Sequence, residues 1–195
     1  SAFRDLDIRD AACAGSSYAA ERSALEKELS DYFDNAAIEK TVIDKFLNKS
    51  IKAMIVPHID LRLGGATYAA AYKILRHAQP VNLFVILGIS HQPTKHAFVM
   101  TTKDFRTPLG LVKTDKRIVM NIANRCQTDF FVDEIVHRNE HSIEFQTLFL
   151  QQTQTDFRIV PILCSFSHLQ SDVQKRQIVE FTTALRREIG GPGSV

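Results

Sequence analysis

His58 and His91 each follow an apolar run that stops abruptly in polar residues: Lys52-Ala53-Met54-Ile55-Val56-Pro57-His58-Ile59-Asp60 and Leu83-Phe84-Val85-Ile86-Leu87-Gly88-Ile89-Ser90-His91. Such a run is how a strand covered on both faces reads. In open α/β sheets ligands bind outside the carboxyl ends of such strands. Two imidazoles delivered there could hold one metal ion or share one substrate. A third constellation is His137-Arg138-Asn139-Glu140-His141-Ser142-Ile143-Glu144-Phe145-Gln146. Read as a helix from Glu140 to Gln152 capped by Asn139, it sets Glu140 and Glu144 on one face. It also puts His141 in the first turn, where the helix dipole favours the neutral imidazole that binds a metal or acts as a base. The carboxylates could orient that ring, although a polar helix start without function has the same letters. Three nitrogen ligands, or two and a carboxylate, suit a catalytic ion with open positions. Asp60 and Arg62 either meet a charged substrate or pair with each other. Ser90 is not in a nucleophile elbow, because Gly88-Ile89-Ser90-His91 has the wrong order. His77, His96, His137 and His168 carry no supporting pattern, although His168 also follows a strand-like run.

Regular elements must carry these groups. Ser23-x-x-Glu26 reads as a capping box opening a helix over 23–36, and Ile38, Val42 and Phe46 mark a second over about 37–47. The first strand is expected at 51–56. Gly64-Gly65 opens a helix to about Gln79, ended by Pro80, and a strand follows at 82–88. This βαβ unit implies parallel pairing. His96 to Thr101 reads as a strand, Thr107-Pro108-Leu109-Gly110 as a turn and Leu111 to Lys113 as the returning edge strand. Asp115 caps a helix through about Arg125. Phe130 to Val136 is apolar but short. Phe157 to Leu163 is a buried strand, and about Ser171 to Ile189 a closing helix. Gly64-Gly65 could cradle an anion or allow close packing. With no Gly-x-Gly-x-x-Gly and no Gly-Lys-Ser/Thr, no nucleotide cofactor is expected. The tail Gly190-Gly191-Pro192-Gly193-Ser194-Val195 reads as a connection into a further strand, so the chain is expected to lack a C-terminal portion.

The 195 residues suit one domain with a sizeable core. A net charge of +2 without a long run of one sign gives no electrostatic case for nucleic acid. No apolar stretch is long enough for a membrane span. The start Ser1-Ala2-Phe3-Arg4-Asp5-Leu6-Asp7 is too polar for a signal peptide. Cys13, Cys126 and Cys164 form an odd set without a Cys-x-x-Cys pair, which fits a reducing cytoplasm and buried thiols.

Five short motifs in order then resemble the Memo family, also called AmmeMemoRadiSam system protein B. Val56-Pro57-His58-Ile59-Asp60-Leu61-Arg62-Leu63-Gly64-Gly65 with Tyr68-Ala69-Ala70-Ala71-Tyr72 resembles its first signature, and Gly88-Ile89-Ser90-His91 its second. Thr107-Pro108-Leu109-Gly110 with Asp115 resembles its central turn. Glu140-His141-Ser142-Ile143-Glu144-Phe145-Gln146 with Phe149-Leu150-Gln151 resembles its third signature, and Ala14-Gly15-Ser16-Ser17-Tyr18 its Ala-Gly-x-Phe-Tyr. The resemblance runs from about residue 8 to the end. It implies a fold similar to class III extradiol dioxygenases of the LigB type, which are non-haem iron enzymes. It also implies that members supply a further ligand, often cysteine, from a last third beyond the region these motifs match.

The expectation is therefore a single α/β domain over 1–195, a mainly parallel sheet flanked by helices with a β-hairpin insertion near 96–113. His58, His91 and His141 are the expected metal residues, His141 and Glu144 the catalytic ones, and Asp60, Arg62, Ser90 and Glu140 the substrate-binding ones. The implied cofactor is iron, alternatively copper or zinc, in a dioxygenase-like oxidoreductase. The alternative is a non-catalytic module binding a small molecule or peptide, since fold does not fix function. Neither nucleic acid nor a membrane is an expected partner. A homo-oligomer is left open, and the expected location is cytoplasmic.

Overall fold

The computed structural model describes residues 2–165 and 171–190, so His168 and the tail from 191 lie outside the described residues. Among the described residues six strands form one sheet: β1 (Ile8–Arg9), β2 (Leu83–Ile89), β3 (Phe98–Met100), β4 (Asp104–Thr107), β5 (Gly110–Thr114) and β6 (Arg158–Cys164). Six α-helices flank it: α1 (Arg22–Asn35), α2 (Lys40–Phe46), α3 (Leu61–His77), α4 (Lys116–Asn124), α5 (Glu144–Thr153) and α6 (Asp172–Ile189). The order is β1-β4-β5-β6-β2, with β3 also on β6. β6 is the hub. It runs parallel to β2 along its whole length, from Leu83↔Arg158 to Ile89↔Cys164. On its other side it pairs first with β5, in parallel, and then with β3, antiparallel. Pro161, which has no N–H to donate, falls between those two partners, where no ladder bond is needed.

The side chains of β6 alternate between two cores, as strand geometry requires. Ile159 and Leu163 join the cluster under α1, α3 and α5. Val160, Ile162 and Cys164 join the one under α4 and α6. Coverage on both faces is why β6 reads as an unbroken apolar run, whereas β2, at the end of the sheet order, is only partly covered and leaves Leu87 and Ile89 exposed.

Several local expectations are corrected. Residues 51–56 form no strand, and Ile55 is fully exposed. An apolar run becomes a strand only with a ladder partner. Here β2 pairs with β6, so the parallel unit spans β2 to β6 rather than 51–56 to β2. The hairpin is formed by β4 and β5 (Phe105↔Val112 to Thr107↔Gly110), whereas β3 within the expected 96–101 segment goes to β6. Helix α1 begins at Arg22, so Ser23 lies inside it and Glu26 pairs with Arg22 at 2.9 Å instead of closing a capping box.

Helix α3 begins at Leu61 and is capped by the Asp60 carboxylate, which accepts from the Arg62 N–H at 2.9 Å. Gly64 and Gly65 are therefore helical and serve close packing. A Cβ there would stand 2.4 Å from Ile59 Cγ2 and 2.4 Å from Tyr32 Cε1. Residues 134–138 form a 3-10 turn, and α5 starts only at Glu144. Asn139 thus ends the 3-10 turn and does not cap α5, and Glu140 and Glu144 share no helix face. Asp115 does cap α4, accepting from the Ile118 N–H at 3.0 Å.

Candidate metal centre

The hydrogen bonds of Glu140 build the site. Its carboxylate accepts the backbone N–H groups of His141 (2.8 Å) and Ser142 (3.1 Å), which turns the chain just before α5. It also accepts the N–H of His91 at 2.9 Å, just past β2. Ser142 adds a second stitch, its hydroxyl donating to the Ile89 carbonyl at 2.8 Å. The end of β2 and the entry to α5 are thereby fastened together, and His91 and His141 emerge side by side with ring centroids 4.7 Å apart.

Glu140 is buried. Burial works against its charge, yet the His91 and Ser142 N–H groups and the His91 ring outweigh it and hold the carboxyl below its ordinary range. His91 Nδ1 lies 3.1 Å from both carboxylate oxygens, and His141 Nδ1 lies 3.3 Å from Oε1. Donor atoms of His91, Glu140 and His141 all fall within 4.8 Å of one another, the set among the described residues that could hold a metal ion.

These groups fit a metal. A carboxylate offers about four acceptor positions, and the backbone N–H groups of His91, His141 and Ser142 that bond Glu140 leave one for a cation or the His91 ring. Two imidazoles and one carboxylate are the donors of a facial site with open positions. The His91 side chain is 47% exposed, so the approach from that side is open.

His58 arrives from the irregular segment before α3. Its ring stands 5.2 Å from that of His91 and 6.1 Å from that of His141. It is not in the 4.8 Å set, but its carbonyl accepts from His141 Nε2 at 3.1 Å. Burial, then the adjacent His91 and His141, lower its pKa and favour the neutral ring.

The remaining expected site residues scatter. Of the two alternatives for Asp60 and Arg62, mutual pairing is formed, with Arg62 Nη2 2.9 Å from Asp60 Oδ2. Hydrogen bonds from Arg62 hold the Asp60 carboxyl down to about 2. The Ser90 hydroxyl donates to the Gln92 carbonyl at 2.8 Å. Glu144 is fully buried and saturated: it pairs with Arg9, accepts from Tyr18 and takes the N–H groups of Ala12 (3.0 Å) and Cys13 (2.9 Å). The structure thus brings together His58, His91, Glu140 and His141, and engages Glu144 elsewhere.

Arg9 was not singled out by the sequence, and no spacing rule links it to a partner 135 residues away. The three cysteines are free. Burial pushes Cys13 and Cys126 up to about 11 and Cys164 to about 12, so none is a ready thiolate. Cavities of about 470 and 490 Å³ open beside Phe157 and Arg158, at the start of β6 and away from the histidines. Among the described residues no helix is long and apolar enough to cross a membrane.

Residues 9–188 match the family model described as Memo-like protein. A MEMO1 family protein of Aquifex aeolicus (strain VF5) is 32% identical over 120 residues, 62% of this chain and 32% of that relative. One from Methanosarcina barkeri (strain Fusaro / DSM 804) is 32% identical over 156 residues, 80% of this chain and 54% of the relative. One from Archaeoglobus fulgidus is 31% identical over 183 residues, 94% of this chain and 63% of the relative. The chain thus spans between 32% and 63% of the length of these curated relatives.

Proposed function

This chain belongs to the Memo family, and on that premise we propose that it binds a divalent or redox metal, iron first and copper or zinc as alternatives, in a dioxygenase-like oxidoreductase site. The observation that carries the reading is the convergence of His91, Glu140 and His141 donor atoms within 4.8 Å at the carboxyl end of β2. His91, His141 and the Glu140 carboxylate would hold the ion. A metal there would supply Lewis-acid and one-electron chemistry with positions left for substrate.

The chain's own residues do the rest. Glu140 stays charged because three backbone N–H groups face it. His58, kept neutral by burial and by its imidazole neighbours, is the group poised to take a proton from a bound substrate. Ser90 and the exposed Asp60–Arg62 pair lie close in sequence to His91 and His58 and are the proposed substrate-facing residues, toward a small molecule or peptide.

The test is metal content by mass spectrometry on the chain purified without oxygen, beside His91→Ala and His58→Ala. Stoichiometric metal, lost in His91→Ala and retained in His58→Ala, is the expected pattern. A metal-free wild type would move the function to a ligand-binding module. Loss in His58→Ala as well would make that ring a ligand.

A further inference from the structure

We propose that Gln146 is a positioning residue: together with Tyr72 it fixes the Pro57–His58 backbone so that the His58 carbonyl locks His141 in the tautomer offering Nδ1 to the metal. The inference rests on the metal centre proposed above and deepens it.

His141 Nε2 lies 3.1 Å from the His58 carbonyl oxygen. A carbonyl has no proton to give, so Nε2 carries the hydrogen, and in a neutral imidazole Nδ1 then carries the lone pair. Nδ1 faces Glu140 Oε1 at 3.3 Å, but that oxygen already accepts the His141 and Ser142 N–H groups, so the ring's hydrogen bond is the one from Nε2 to the His58 carbonyl. The opposite tautomer would aim one lone pair at another across the His58 contact and put a hydrogen where a cation would sit.

The lock depends on where the His58 carbonyl is held. Residues 51–58 belong to no strand, so no ladder holds it. Gln146 on α5 takes over that task. Its Nε2 donates to the Pro57 carbonyl at 3.0 Å and to the Ser142 carbonyl at 3.3 Å. Its Oε1 accepts from the Tyr72 hydroxyl on α3 at 2.9 Å, which sets which way the amide faces. Gln146 and Tyr72 are both buried, so water does not compete for these bonds. The same amide thus grips both sides of the His58–His141 contact, the segment before α3 and the turn before α5. Orientation of a ligating imidazole by the partner of its other nitrogen is a general feature of metal sites.

Two readouts on the 195-residue chain test this. Long-range nitrogen–proton NMR of the metal-free protein, at a pH where imidazoles are neutral, reports the His141 tautomer. Wild type and His58→Ala, which keeps the carbonyl, are expected to show hydrogen on Nε2. Gln146→Met and the milder Tyr72→Phe are expected to show mixed tautomers. In cobalt(II) titrations Gln146→Met should bind about 10- to 100-fold more weakly than wild type, and Tyr72→Phe should lose less. Hydrogen on Nδ1 in wild type overturns the proposal, as does an unchanged tautomer in both Gln146→Met and Tyr72→Phe. Cobalt refusing the wild type would sink the metal centre itself, while the tautomer comparison still decides the lock.

Discussion

Glu140 and Glu144 are four residues apart and both buried, yet they sit in opposite electrostatic settings. Glu144 faces a full positive charge: Arg9, itself buried, pairs with it, and two N–H groups and a phenol take its remaining capacity. Glu140 is charged without a fixed cation, held by three backbone N–H groups beside imidazoles. The first arrangement is closed and clamps the N-terminal segment to α5. The second retains its appetite for a cation. A buried carboxylate is therefore read by what neutralises it, and of these two Glu140 is the one with an acceptor position left for a cation.

The clamp region should govern acid stability. His137 is buried beside it, its carbonyl accepting from Arg9 Nε at 2.7 Å and its Nε2 3.1 Å from the Val99 carbonyl. Burial pushes its pKa from 6.5 down to about 3. A depressed histidine is neutral in the folded state, so its full contribution is present above the unfolded value near 6.5. Stability is lost as pH falls from there toward the folded value, by about 1.4 kcal/mol per unit and at most about 5 kcal/mol in total. Denaturant titrations of wild type and His137→Phe across that window check this. An acid slope equal in both chains would remove His137 as the cause.

Next in size is the clamp itself. Glu144→Gln leaves Arg9 charged, buried and unpaired, and should cost about 3–5 kcal/mol of unfolding free energy. Glu140→Gln keeps an acceptor for neutral N–H groups and should cost less, about 1–3 kcal/mol. Equal losses in a urea series would erase the contrast between the two carboxylates. Smallest is Asp60→Ala, which removes the cap of α3 and an exposed ion pair, for about 1 kcal/mol with metal content unchanged. If metal were lost as well, Asp60 would belong to the centre.

The sequence made much of this legible, and its failures have physical causes. β6 and α4 were readable because burial on both faces leaves an unbroken apolar run and burial on one face a helical period, which the Asp115 cap of α4 supports; β2 reads likewise, although its outer end is exposed. The place of His91 was readable because it follows the end of β2, whereas His58 is reached through a segment that forms no strand and His141 through a turn that precedes α5. Residues 51–56 misled because apolarity reports burial preference, whereas a strand also needs a partner edge. Glu140 was placed on a helix because its letters suit one. Its bonds to the His91, His141 and Ser142 N–H groups stop the helix from starting there. Arg9 was invisible because its partner is distant in the chain. At Gly64 and Gly65 packing and anion binding both demand a missing side chain, and only the neighbours Ile59 and Tyr32 decide between them.

The contrast between the two carboxylates is tested most directly by the metal content of oxygen-free preparations of wild type, His91→Ala and Glu144→Gln, the last at a temperature where it stays folded. Stoichiometric metal in wild type and Glu144→Gln, with none in His91→Ala, is the predicted result. Metal that persists in His91→Ala, or that is absent from the wild type, would contradict the account.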